Sequence, residues 1–126
     1  MPLITLTVQK PMTSQSKDTI LSAVHEALVA AGVPATDRFH RVLELEAENF
    51  RFDPHYPDLT RPRTCDFVLI EILLSLGRSV KVKKRIVEDV IATLTGQGFD
   101  PENIMITFVE TTWENWSFGG GRFFYL

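Results

Sequence analysis

The chain predicts an α+β domain in which one β-α-β unit is used twice, giving a four-stranded mixed sheet with two helices on one face. Three observations carry this expectation. Four short apolar runs, at residues 3–8, 39–46, 67–74 and 104–109, have the length and β-branched content of strands, and the stretches at 14–31 and 80–95 carry apolar residues at helical spacing. The turn Gly32-Val33-Pro34 before the second run returns as Gly98-Phe99-Asp100-Pro101 before the fourth, and a capping Ser14 returns as Ser79. A length of 126 residues with 44% hydrophobic content suits one core, and so a single domain over residues 1–126.

The first strand, Leu3 to Val8, has no charge and no glycine and reads as buried on both faces. Pro2 stands at its mouth, one of the few places where a sheet accepts a residue with no amide hydrogen. Removal of Met1 would turn the Pro2 nitrogen into a secondary amine. An α-amino group titrates near ~8, and burial lowers that value, so such an amine can act as a base at neutral pH.

Gln9-Lys10-Pro11 ends the strand, and Thr13 or Ser14 caps a helix to about Ala31 whose Ile20, Val24, Ala27, Leu28 and Ala31 form one apolar face. Gly32 and Pro34 stop it. The second strand, Phe39 to Glu46, places Val42, Leu43 and Leu45 among charges. Residues 48–64 hold Pro54, Pro57 and Pro62 and read as a long loop, either a lid or a solvated connection, with Arg61 and Arg63 facing water.

The third strand, Phe67 to Leu74, is apolar nearly throughout and reads as central. Gly77-Arg78 turns it, and Ser79 caps a helix to about Thr95, with a basic cluster on its solvated face. Ile104 to Val109 is the fourth strand. Right-handed crossovers put both helices on one face of the sheet. The other face, rich in Leu, Ile, Val and Phe, then lacks cover within the chain and is expected to be buried between subunits. The tail from Thr111 to Leu126 holds both tryptophans, and its last residues are expected to pack on a neighbouring subunit; its triple glycine reads as a bend.

Several classes drop out. A net charge of −3 gives no electrostatic footprint for nucleic acid or an anionic membrane. No leader pattern or membrane-spanning apolar run is present, and the expected location is cytoplasmic. Cys65 is the only cysteine, read as a small strand residue, and His25, His40 and His55 lack the close spacing of metal ligands. Neither a metal nor a cofactor is expected.

In order and spacing, Pro2, Gly32-Val33-Pro34 with Asp37-Arg38, Gly77-Arg78-Ser79, Trp116-Ser117-Phe118-Gly119 and Gly121-Arg122 resemble the tautomerase superfamily along essentially the whole chain, and within it the malonate semialdehyde decarboxylase group. The resemblance implies a homotrimer with an amino-terminal proline at each site. It implies Pro2 as the proton-carrying amine, Asp37 as the carboxylate beside it and Arg78 as the cation that binds a substrate carboxylate. Trp116 and Phe118 would wall the pocket, with Arg122 as a second cation. The substrate implied is a small keto or enol carboxylic acid. This chain departs from the group in one respect: the positions where relatives carry a second arginine hold Leu76 and Ser75.

Three readings follow. A neutral Pro2 would make the protein an isomerase that moves a proton between carbon and oxygen. A cationic Pro2, with Asp37 activating water, would support a hydratase or a decarboxylase acting on a 3-oxo acid. A trimeric binding protein on the same scaffold is the third.

Overall fold

The computed structural model describes residues 1–123; the expected subunit contact of the tail's last residues, Phe124 to Leu126, lies outside them. Four strands, β1 (Leu3–Gln9), β2 (Phe39–Leu45), β3 (Val68–Ser75) and β4 (Ile104–Thr111), form one sheet in the order β2-β1-β3-β4. β1 runs parallel to β2 and antiparallel to β3, and β3 runs parallel to β4. The long helices α1 (Ser14–Ala30) and α2 (Val80–Gly96) connect the parallel pairs. This is the duplicated β-α-β unit expected from sequence, and both β1 and β3 are central.

The duplication is regular. Thr13 caps α1 by accepting from the Ser16 amide, and Ser79 caps α2 by accepting from the Val82 amide, so the cap of the first helix is Thr13 rather than Ser14. Thr13 and Ser79 are 66 positions apart (79 − 13), and the same offset relates α1 to α2, Gly32 to Gly98, and the Lys17–Glu44 ion pair to the Lys83–Glu110 pair. It also relates the fully buried side chains: Ile4 with Ile70, Leu6 with Ile72, Val8 with Leu74, Ile20 with Ile86, Val24 with Val90 and Leu28 with Leu94. Alternate strand residues point to one face, and these fill the layer between sheet and helices. Truncating one of the leucines or isoleucines to alanine would cost about 2–5 kcal/mol.

The uncovered face differs from the expectation. The isoleucines of β1, β3 and β4 sit at the alternate positions that face the helices. The open face therefore consists of two mainly apolar rows, Phe39-Leu3-Leu73-Val109 and Leu43-Thr7-Leu69-Met105, with the polar row Arg41-Thr5-Glu71-Thr107 between them. Arg41 Nε donates to Thr5 Oγ1 at 2.7 Å. Phe39, Leu43, Met105 and Val109 are exposed, while Thr5 and Thr7 on the central strand are buried.

Strand directions sort the connections into two groups. The starts of β1 and β2 and the ends of β3 and β4 share one end of the sheet, hereafter the proline end. The long loop after β2 lies at the opposite end, so it is no lid over Pro2 in its own chain. Arg61 forms a two-point bond to Asp100 at 2.7 and 3.2 Å, which holds that carboxyl below its usual range. Phe50 and Phe52 pack on Phe67, with ring centroids 5.4 and 4.5 Å away. The Arg63 guanidinium lies 5.5 Å above Phe67 and donates to the Asp53 carbonyl. Arg61 and Arg63 are thus structural cations. Cys65 is exposed, in the turn before β3 rather than in the strand. No helix among the described residues is long and apolar enough to cross a membrane.

Candidate active site

Pro2 is buried just ahead of β1, and the turn after α1 brings Asp37 beside it. That turn is fixed by backbone bonds, from the Val33 amide to the Leu28 carbonyl and from the Asp37 amide to the Pro34 carbonyl, each 3.0 Å. Gly32 makes the turn possible with φ of 104°, where a side chain would be strained. His25, buried on α1, anchors it from below: its Nε2 lies 2.9 Å from the Ala35 carbonyl oxygen and, facing a pure acceptor, must carry the hydrogen. The rings of His25 and His40 meet edge to face at 5.9 Å. Burial, then the charge of Arg38 and the neighbouring His25, hold His40 below the ordinary histidine value.

The α-amino group of Met1 lies 3.6 Å from Asp37 Oδ2, with both side chains about seven-eighths buried. The Pro2 nitrogen is one residue along the same chain, so an amine uncovered there stays within reach of this carboxylate. Asp37 Oδ1 is buried and has no hydrogen-bond partner.

β3 and the segment after it deliver the cation. Arg78 is half-buried, with Nη1 3.5 Å from the Ser75 carbonyl oxygen, a distance too long for a strong bond. Ser75 pairs with Thr111 at the shared end of β3 and β4, and the Leu76 amide donates to the Thr111 carbonyl at 3.0 Å. The Ser75 side chain is fully buried, and its hydroxyl has no partner.

The chain beyond β4 folds back over this corner. Asn115 Nδ2 donates to Thr111 Oγ1 and, at 3.2 Å, to Thr112 Oγ1, closing a turn that presents Trp116. Trp116 stacks on Phe118 with ring centroids 5.6 Å apart, and its Nε1 is buried without a partner. Arg122 lies further out in a tight hairpin. Gly119 and Arg122 bridge across Gly120 and Gly121, whose φ values of 64° and 71° are those of a two-residue turn that glycine favours. Arg122 Nε donates to the Gly119 carbonyl at 3.3 Å, so its head group folds onto its own turn.

The fold therefore brings Pro2, Asp37, Arg78, Trp116 and Phe118 to one end of the sheet, with Arg122 at the margin. Sequence reasoning passed over Ser75 as a place where an arginine is lacking. Its signal was a lone hydroxyl closing an apolar strand. Four side-chain polar atoms among the described residues are buried without a partner, and three of them, on Asp37, Ser75 and Trp116, lie at this end; the fourth is Arg63 Nε. Each orphan costs about 1–3 kcal/mol of desolvation. Buried polar groups in folded chains are otherwise nearly always paired, which sets these three atoms apart. No group of three or more metal-ligating side chains occurs among the described residues.

A cleft of about 560 Å³ lies elsewhere, at the far end, between Pro11, Met12, Asp66, Phe99 and Asn103. It lacks the orphan atoms of the proline end, and we place the chemistry with those atoms rather than with the larger volume.

Comparison with known proteins bears on the family and the fold. Residues 37–119 match the model of a family described as tautomerase enzyme. The chain is 28% identical over 101 residues to the probable tautomerase YusQ of Bacillus subtilis (strain 168), covering 79% of this chain and 78% of that protein. It resembles the crystal structure of the FG41 malonate semialdehyde decarboxylase inhibited by 3-bromopropiolate, with a TM-score of 0.88, 26% identity, and coverage of 98% of this chain and 93% of the other. A second malonate semialdehyde decarboxylase, solved as wild type, as a variant with its first proline replaced by alanine, and in inactivated form, aligns with a TM-score of 0.85 and 28% identity over 95% of this chain and 92% of its own.

Proposed function

This chain belongs to the tautomerase enzyme family, and from that premise we propose that it is an isomerase in which the Pro2 amine, freed by removal of Met1, shuttles a proton on a small keto or enol carboxylic acid. The observation that carries this reading is the buried start of β1, which sets the amino terminus 3.6 Å from Asp37 at the end of the sheet where Arg78 and Trp116 also stand. Neutral Pro2 takes a proton from the carbon next to the carbonyl, or from an enol hydroxyl, and returns it to the other position. Arg78 binds the carboxylate and stabilises the charge that spreads as the proton leaves. Asp37 holds the substrate hydroxyl or a water. The Trp116 and Phe118 wall excludes solvent and strengthens each of these interactions.

The two decarboxylase structures favour a second reading, in which Pro2 is a cation and general acid and Asp37 activates water for hydration or decarboxylation. The negative charge of Asp37 favours the prolyl cation, whereas burial favours the neutral amine. pH separates them: turnover by proline as base falls below the amine pKa, and turnover by proline as acid falls above it.

The open sheet face supports a homotrimer, because its exposed Phe39, Leu43, Met105 and Val109 would otherwise remain in water. Sedimentation at the mass of a single 14.3 kDa chain would reject that assembly.

The experiment that tests the activity is an intact mass of the natively expressed chain followed by a phenylpyruvate assay. We expect a mass lacking methionine, and a loss of about 10²–10⁴-fold in kcat on Pro2→Ala. Retained methionine, or full activity in the variant, would end the reading.

A further inference from the structure

We infer that Ser75 and Trp116 are ligand-binding donors, which together with Arg78 form a three-point cradle for the carboxylate of the bound acid. This inference deepens the proposed function and rests on its placement of the substrate at the proline end.

The observations are the orphan atoms. Ser75 Oγ and Trp116 Nε1 are both removed from water, and neither has a partner within the chain. An indole nitrogen can only donate, and a hydroxyl can donate as well as accept, so both can serve one anionic acceptor. Ser75 adjoins the candidate cation, and Trp116 follows a turn tied to the strand partner of Ser75. Arg78 Nη1 approaches the Ser75 carbonyl, and Ser75 pairs with Thr111. Thr111 in turn accepts from Asn115 in the turn that presents Trp116.

Access follows from the register. β1 and β3 pair Leu3 with Leu73. The ladder ends at that pair, with Met1 two places before it on one chain and Ser75 two places after it on the other. Removal of Met1, which the Pro2 chemistry requires, would open space at this end of the two strands. The remaining orphan, Asp37 Oδ1, is an acceptor. It suits the opposite pole of the ligand, an enol hydroxyl or a bound water. The ligand class is therefore a monocarboxylate with a donor at its other end, held by one full positive charge and two neutral donors.

The test uses the methionine-free full chain in a Pro2→Ala background, so that binding is read without turnover. Phenylpyruvate is titrated by calorimetry against this protein and against the same protein carrying Ser75→Ala, Trp116→Phe or Arg78→Met. We expect Ser75→Ala and Trp116→Phe each to weaken binding about fivefold to tenfold, and Arg78→Met to weaken it more. The melting temperature of Ser75→Ala should not fall, since its hydroxyl serves no internal bond; a purely structural serine would show the reverse pattern. In the proline-containing chain the same two substitutions should raise KM. Binding that depends on Arg78 but is untouched by both substitutions would overturn the assignment, and so would no binding at all. Binding weakened by Ser75→Ala and Trp116→Phe, together with no turnover by the proline-containing chain, would instead retain the cradle and reject the isomerase.

Discussion

The two ends of the sheet are copies of one another, and they have been treated in opposite ways. The 66-residue offset that relates the helices also relates Pro2 to Val68, Asp37 to Asn103 and Arg78 to Met12. At the far end the equivalent of the proline is an ordinary strand residue with its nitrogen in a peptide bond. Asn103 is buried and doubly bonded: its Oδ1 accepts from the Thr64 amide at 2.9 Å, and its Nδ2 donates to Thr64 Oγ1 at 3.0 Å. At the proline end Asp37 Oδ1, Ser75 Oγ and Trp116 Nε1 have no such partners. One scaffold thus supports a copy in which Asn103 is satisfied from within and a copy in which polar atoms of Asp37, Ser75 and Trp116 find no partner in the chain. A paired group adds stability, and an unpaired buried one gives some of it up.

Exchanging the equivalent residues should break this contrast. The largest effect is expected from Asp37→Asn, which keeps size and loses charge. Turnover should drop about 10²-fold or more, with little change in melting temperature, because Asp37 Oδ1 has no internal bond and Oδ2 has only the 3.6 Å contact to the amino terminus. A folded variant of full activity would remove Asp37 from the chemistry. The reverse exchange, Asn103→Asp, should leave activity alone and cost about 1–3 kcal/mol in urea unfolding. It replaces a donor to Thr64 with a buried charge, and an unchanged midpoint would show that the Thr64 bonds contribute nothing.

The smallest effect is a pH dependence confined to the proline half. His25 and His40 occupy the places that Ile91 and Ile106 hold in the other half. Burial, Arg38 and His25 keep the folded-state pKa of His40 low, whereas the unfolded chain takes up that proton near ~6.5. Below that pH the unfolded state binds more protons, so stability is present above about 6.5 and declines as the pH falls towards the folded-state value. His40→Gln should flatten that part of the stability profile, measured by urea unfolding at a series of pH values. An unaltered slope would assign the proton uptake to another group.

Much of this was readable from the chain. The helices, both caps within one residue and all four strands follow from local spacing, because side-chain periodicity is a property of a few neighbouring residues. The repeat was visible in Gly32 and Gly98. Pro2, Asp37 and Arg78 were singled out through the resemblance, and each lies close to where an element begins or ends. The 48–64 loop was less so: its prolines announced a loop but not which end of the sheet it would cover. Cys65 looked like part of the third strand because an apolar run follows it closely, yet the strand starts only at Val68.

The residues by themselves determined the elements, their order and the duplicated unit, since propensity, capping and turn chemistry act over a few positions. Only the tertiary structure decided which buried polar side chains are paired. Whether a carboxylate, an amide or a hydroxyl finds a partner depends on groups that reach it through space. Asn103 is met by Thr64 from 39 positions away, while Ser75 is met by none.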